Sequence, residues 1–236
     1  GNGLTAVMKE SLTAAGVVVV PTKEARYDEN APGDMSSQVT TVCSAPKPDA
    51  IVLVAYIDDG ANALKAMQGQ GCLQGTKVFG SEGVYNEQLP EKAGRDAQGR
   101  FLAAGVKGTN PETADLSRYN AIFNTSYGHT PALYSAESYD GVMYLTLAAL
   151  AAKSTQGKDI AAKLPCILNG PGTKYTPERF VEAAEAVKKG DCIDFDGYAH
   201  NFVFDAQKRE PTTGIYSIWE VQADGTIAIV QTGQSA

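Results

Sequence analysis

The fold is decided by the ten residues from Lys77 to Asn86, which read KVFGSEGVYN. The first three are typical of a short strand, and Gly80 and Gly83 then bracket a single carboxylate, Glu82. In an open α/β sheet, ligands bind at the carboxyl ends of the strands. Glu82 is therefore a candidate to bind a cationic group, because an ionised carboxylate accepts charge-assisted hydrogen bonds. The alternative is a loop glutamate that faces water, since most acidic residues are exposed.

The composition is that of an ordinary globular protein. The chain has 236 residues, 43% hydrophobic and 20% charged, which suffices for one large domain or two small ones. Its formal net charge is −7 and it contains no basic run, which argues against nucleic acid or an anionic membrane surface as the partner. No stretch approaches the roughly 20 apolar residues of a membrane span.

Four cysteines bear on the compartment, namely Cys43, Cys72, Cys166 and Cys192. None belongs to a Cys-x-x-Cys pair, and both histidines lie far from them in sequence, so the pattern does not favour a zinc site. Two disulfides in an oxidising compartment fit the even count. Four unpaired thiols in a reducing compartment are the alternative.

Helices and strands alternate on the amino-terminal side of the opening stretch. Apolar spacing and helix-breaking residues predict helices at Leu4–Ala15, Ser36–Val42 and Ala61–Gln70. Strands are predicted between and after them, at Val17–Val20, Ala50–Ala55 and Thr76–Phe79. This alternation predicts an α/β fold with a doubly wound, mainly parallel sheet. Such a unit normally begins with a strand, so we expect a further strand upstream of Gly1.

The carboxyl-terminal side changes character. An extended crossing is expected at residues 108–111, followed by helices at residues 113–128, Ser135–Lys153 and Pro177–Lys189. The helix at Ser135–Lys153 is so apolar that we expect it to be buried on most sides. Residues 155–175 resemble a loop around a short apolar stretch at Ile160–Leu164. The tail predicts an antiparallel meander of strands at Phe202–Phe204, Gly214–Val221 and Thr226–Gln231, with turns at Asp205–Pro211 and residues 223–225.

Motifs for catalysis or cofactor binding are incomplete. The glycines near Gly71 end a helix instead of beginning one, the segment Gly170–Lys174 lacks the phosphate-loop pattern, and no Gly-x-Ser-x-Gly elbow occurs. Three aspartates, Asp191, Asp194 and Asp196, resemble only part of a calcium loop. We therefore expect no cofactor and no enzyme activity.

Two acidic residues, Asp58 and Asp59, could form an acid–base pair, but their place before an Ala-rich helix favours capping. The feature that remains is a binding crevice. Tyr56 and Ile57 follow one predicted strand, and Ser81, Glu82 and Tyr85 follow the next.

Six segments occur in a familiar order, namely Gly1–Leu4, Pro48–Val52, Gly60–Lys65, Gly80–Gly83, Tyr134–Asp140 and Gly214–Val221. Together they resemble the periplasmic branched-chain amino-acid binding proteins of ABC transporters, which are type I, leucine-binding-protein-like receptors. This resemblance implies two α/β lobes joined by three crossing strands, with the ligand in the cleft. Residues 1–107 and 203–236 would form the second lobe. Residues 108–202 would be the closing helical part of an incomplete first lobe, whose remainder lies in a missing N-terminal portion.

The resemblance also implies roles for individual residues. Glu82 would pair with the α-ammonium group of an amino acid, and Tyr56 would pack on or bond to the ligand. Ile57 departs from members that carry a second aromatic residue there. In this fold the helices that end near Cys43 and Cys72 are neighbours, which implies one disulfide and leaves Cys166 with Cys192 as the second pair.

The implied function is a periplasmic or otherwise extracytoplasmic solute receptor, either free or anchored by a lipid, that delivers its ligand to the membrane subunits of an ABC permease. A ligand sensor of the same fold, responding to an amide or an amino acid, is an alternative. An enzyme on a doubly wound sheet is a further alternative that lacks a supporting motif.

Overall fold

The computed structural model describes residues 2–28, 30, 33–112, 115–132, 134–199, 204–205, 210–211 and 214–235. The chain divides into two compact units. The sheet unit comprises Gly1–Pro111 and Tyr216–Gly233, and the helical unit comprises Glu112–Ile215 and Gln234–Ala236. Among the described residues, no helix combines the length and the apolar character needed to cross a membrane.

The sheet unit is built on a five-stranded sheet. Its strands are β1 (Ala50–Leu53), β2 (Lys77–Gly80), β3 (Lys107–Glu112), β8 (Gly214–Val221) and β9 (Ile227–Ser235), in the order β1-β2-β3-β8-β9. The first three run parallel, with Leu53 opposite Gly80 and Gly80 opposite Gly108. The last two form a hairpin that closes with a hydrogen bond from the Gln222 N–H to the Thr226 carbonyl. The predicted α/β architecture with a mainly parallel sheet is therefore confirmed.

Helices α1 (Asn2–Ala14), α2 (Ser36–Val42), α3 (Ile57–Gly69) and α4 (Leu89–Ala93) complete the sheet unit. Its core joins Leu64 and Met67 of α3 to Val78 of β2 and Trp219 of β8. Successive residues of a strand face opposite sides of the sheet, so Trp219 and Val221 of β8 are buried while Glu220 between them is partly exposed. The prediction of a strand at Gly214–Val221 is confirmed to the residue.

Residues Val17–Val20 do not form the predicted buried strand. Val17, Val18 and Val20 are exposed, Val18 to 86%. The β-branched side chains favour an extended backbone, but a strand also needs a hydrogen-bonding neighbour. β1 is the first strand in the sheet order and pairs with β2 alone among the described strands. The preceding helix α1 likewise has no buried residue.

Helix α3 begins four residues earlier than predicted. Its N-cap is Tyr56, in an extended conformation, so Asp58 and Asp59 lie within the first turn and are not caps. Carboxylates in the first turn still stabilise a helix, because its N-terminus carries partial positive charge. The Asp58 carboxylate also pairs with the Lys92 ammonium of α4 at 2.6 Å.

The helical unit contains α5 (Ser117–Tyr127), α6 (Ser135–Ala152), α7 (Gly157–Leu168) and α8 (Phe180–Lys189). Two small sheets accompany them: β4 (Lys174–Tyr175) runs parallel to β5 (Asp194–Phe195), and β6 (Phe204–Asp205) runs antiparallel to β7 (Glu210–Pro211). A core that includes Leu147, Ile167, Val187 and Ile193 joins α6, α7 and α8.

Three expectations for the helical unit were wrong. Residues 157–168 form helix α7 and not a loop, because Ile160, Leu164, Ile167 and Leu168 pack against the core of the unit and the helix continues past Pro165. Glu210–Pro211 was assigned to a turn but forms β7, so β6 belongs to a separate two-stranded sheet. Helix α6 was expected to be buried on most sides, but Val142 and Leu145 are exposed. Apolar residues lie all around this helix, and only one side of it packs against the rest of the unit. The predicted strand residues 202 and 203 lie outside the described residues.

Each unit contains one disulfide. Cys43, which caps the C-terminus of α2, is bonded to Cys72, which follows α3, and the two lie 29 residues apart in sequence. Cys166 of α7 is bonded to Cys192, which precedes β5. These are the pairings that the family resemblance implied.

Candidate ligand-binding site

The carboxyl ends of β1 and β2 meet at one edge of the sheet. The Ser81 N–H donates to the Leu53 carbonyl at 3.1 Å, which extends the parallel ladder one residue beyond β2. The chain then leaves β1 through Ala55 into α3 and leaves β2 into a 3₁₀ turn at Glu82–Val84. Two strand ends therefore present their following residues side by side, as the sequence predicted.

The side chain of Tyr56 is available for a ligand, because the residue is 62% exposed. Its carbonyl accepts the Gly60 N–H at 2.8 Å, which fixes its backbone at the start of α3. Ile57, the first residue of α3, is partly buried. An exposed phenol ring next to an aliphatic side chain offers an apolar surface with one polar group, the Tyr56 hydroxyl.

The carboxylate of Glu82 is the charged group of this edge. Glu82 is partly buried, and across the described part of the chain its side chain forms no salt bridge or hydrogen bond. The neighbouring acid Asp58, by contrast, is neutralised by Lys92. Ser81 is buried, with its hydroxyl 3.5 Å from the Ala55 carbonyl oxygen. An unpaired, partly desolvated carboxylate is suited to an ammonium group, because the pairing replaces solvation lost on burial.

Tyr85 is placed differently from the other four predicted residues. Its ring packs on Trp219 at a centroid distance of 5.6 Å and belongs to the rim of the hydrophobic core. Sequence reasoning did not single out Trp219 or Val84, although both are fully buried beneath this edge. The signal for Trp219 was available in the alternating pattern of β8, but nothing in sequence connects it to residues 80–85.

The acidic residues near β5 do not assemble a cation site. The ammonium group of Lys174 lies 2.7 Å from the Asp196 carboxylate and 3.8 Å from that of Asp194. The pKa of Lys174 is raised, mainly because its ammonium group donates a hydrogen bond to Asp196 and also because both carboxylates are negatively charged. Within the described ranges, no cluster of three or more acidic, histidine or cysteine side chains could hold a metal ion.

Comparison with solved structures gives a consistent fold. The chain is 18% identical to a leucine-binding protein from Thermotoga maritima, with a TM-score of 0.63 over 98% of this chain and 56% of that one. It is 15% identical to a solute-binding protein from R. palustris in complex with 4-hydroxybenzoate, with a TM-score of 0.62 over 99% and 57%. A second such protein, from Rhodopseudomonas palustris BisB5 in complex with 3,4-dihydroxybenzoic acid, gives 19% identity and 0.58 over 100% and 57%.

The chain thus spans little more than half the length of these structures. A search of curated proteins found no match. A family model described as periplasmic binding protein matches residues 1–222, which is most of the chain. The mainly parallel α/β sheet agrees with this match. The chain therefore belongs to the periplasmic binding protein family and has the type I fold of that family.

Proposed function

We propose that this protein is a solute receptor that binds an amino acid or a related small molecule between two lobes and delivers it to an ABC permease. The observation that carries the proposal is the carboxylate of Glu82 at the carboxyl end of β2, which has no partner among the described residues and follows the strand next to the one before the exposed Tyr56. Family membership supports an extracytoplasmic receptor. Two disulfides fit the same compartment.

The site in this chain is one half of the proposed binding site. Glu82 can pair with an ammonium group, and Tyr56 and Ile57 can contact a side chain. Groups that would bind the ligand's own carboxylate are expected in the remaining portion of the protein, since the matched structures are nearly twice as long. That portion, the ligand and the membrane subunits of the permease are the proposed partners.

Substitution of Glu82 by glutamine tests the proposal. A charge-assisted hydrogen bond contributes about 1.5–3 kcal/mol, so Glu82→Gln in the full-length protein should weaken the binding of L-leucine about ten- to a hundredfold. Isothermal titration calorimetry measures the change, with Glu87→Gln at an exposed position nearby as the control. Unchanged affinity in Glu82→Gln would remove Glu82 from the site.

An aromatic acid is the second candidate ligand, because two of the structurally similar proteins hold hydroxybenzoates. Such a ligand carries a carboxylate and no ammonium group, so Glu82 would repel it. The same variant therefore separates the two candidates by the sign of its effect: Glu82→Gln should weaken L-leucine binding but strengthen the binding of 4-hydroxybenzoate.

A further inference from the structure

Val84 is the most enclosed residue of the turn that carries Glu82. It is the last residue of the 3₁₀ turn and is 1% exposed. Its two methyl groups face two different glycines. A Cβ atom on Gly60 would lie 2.6 Å from Cγ1, and a Cβ atom on Gly80 would overlap Cγ2. Each methyl group thus fills the space that a side chain at the facing position would need.

These two glycines belong to the two elements that frame the candidate site. Gly60 lies in the first turn of α3, hydrogen-bonded to Tyr56, and Gly80 is the last residue of β2. Because Val84 fills both spaces at once, its side chain fixes the turn against the helix and against the strand. A shift of Val84 would move Glu82, two residues away in the same tight turn.

A third glycine brings the backbone of the turn against β1. A Cβ atom on Gly83 would overlap the Ala55 carbonyl oxygen and would lie 3.3 Å from Cδ1 of Tyr56. Only glycine allows this close approach of one backbone to another. Contacts with α3, with β2 and with the residue Ala55 that follows β1 therefore hold the turn in place on three sides.

We propose that Val84 is a positioning residue, which sets the place of the Glu82 carboxylate relative to Tyr56 by filling the spaces at Gly60 and Gly80. The proposal deepens the proposed function and rests on Glu82 as the ammonium-binding group. A well-placed carboxylate keeps the full strength of a charge-assisted bond, and a displaced one loses it because these bonds are short and directional.

A methyl group added at Gly60 tests the proposal through its contact with Cγ1 of Val84. Gly60→Ala should displace the turn and weaken L-leucine binding in the full-length protein about tenfold or more, while the protein remains folded. Gly69→Ala in the same helix is the matched control, because a Cβ atom there meets nothing within 4 Å. Wild-type affinity in Gly60→Ala would overturn the proposal.

A second substitution should reverse the first. Val84→Ala removes Cγ1 and Cγ2, which leaves room for the new methyl group at position 60. Multiplying the fold-losses in L-leucine affinity of the two single variants gives the affinity expected of independent positions. The double variant Gly60→Ala, Val84→Ala should bind L-leucine more tightly than that. Losses that simply multiply would show that the two positions act independently and would contradict the proposed role.

The only tryptophan of the chain gives a readout that needs no ligand. Trp219 is fully buried, and two atoms of its ring lie 3.2 and 3.3 Å from the place of a Cβ atom on Gly80. In the 236-residue chain, Gly60→Ala should shift Trp219 emission to the red and raise its quenching by acrylamide. Gly69→Ala should change neither, and the double variant should restore both.

These readouts separate the two claims. If wild-type protein does not bind L-leucine, the proposed ligand class loses its support, but the fluorescence pattern still decides whether Val84 holds the turn. If Gly60→Ala leaves Trp219 fluorescence unchanged in a chain with wild-type circular dichroism, the turn does not depend on Val84 and the positioning role is wrong.

Discussion

At the scale of the residue, the candidate site depends on which carboxylates are already paired. Asp58 is neutralised by Lys92, whereas Glu82 has no such partner among the described residues. Sequence reasoning could place Glu82 at the end of β2 because a strand followed by a glycine-bracketed turn is a local pattern. It could not show that the Tyr85 ring packs on Trp219, since that packing depends on a contact far along the chain.

Glu178 offers a residue-scale prediction about acid stability. Burial raises its pKa, but hydrogen bonds from the Thr176 and Tyr198 hydroxyls and the nearby Arg118 guanidinium outweigh this effect and leave the pKa below its ordinary value. A carboxyl whose pKa is lowered on folding stabilises the protein above its unfolded pKa of about 4.3, and this contribution is lost as the pH falls towards the lowered value.

We therefore expect Glu178→Gln to be less stable than wild type at pH 7, with a gap that narrows as the pH falls below about 4.3. Urea titrations at a series of pH values measure the gap, and Glu87→Gln serves as an exposed control. A gap that stays constant or widens in acid would show that the lowered pKa of Glu178 does not stabilise the fold.

At the scale of the element, some strands and helices can be predicted from the local sequence, whereas others depend on a neighbouring strand or on packing. β8 was predicted to the residue because it is rich in β-branched and aromatic residues and a turn at residues 223–225 follows it. The four valines at Val17–Val20 carry an equally strong preference for an extended backbone but form no strand, since strand formation requires a partner as well as propensity. Helix α7 was missed because packing against the core of the helical unit, and not a local signal, extends it past Pro165 to Leu168.

The disulfide between Cys43 and Cys72 gives an element-scale prediction. It ties the C-terminal ends of α2 and α3 across 29 residues, and closing a loop of that length stabilises a fold by about 3–4 kcal/mol. The pair of substitutions Cys43→Ala and Cys72→Ala should lower the free energy of unfolding by that amount. Denaturant titration followed by Trp219 fluorescence measures it in the unit that contains this disulfide.

The second disulfide provides the comparison. Cys166 and Cys192 lie in the helical unit, which contains no tryptophan. Replacing both by alanine should shift the denaturant-unfolding transition measured by Trp219 fluorescence less than replacing Cys43 and Cys72 does. An equal or larger shift would show that the two units do not unfold separately.

At the scale of the whole molecule, the family is shown and the ligand is proposed. The family model covers residues 1–222, and the solved structures share the fold over nearly all of this chain but over only 56–57% of their own length. Their ligands differ in charge, since hydroxybenzoates carry no ammonium group. The overall fold therefore does not identify the solute class.

Ligand-dependent melting of the full-length protein tests the central claim most directly. A ligand at a hundred times its dissociation constant stabilises the folded state by about 2.7 kcal/mol, which is a readily measured rise in melting temperature. We predict that at least one amino acid raises the melting temperature of wild-type protein and raises that of the Glu82→Gln variant much less. Stabilisation by hydroxybenzoates alone, or by no member of a panel of amino acids, would contradict it.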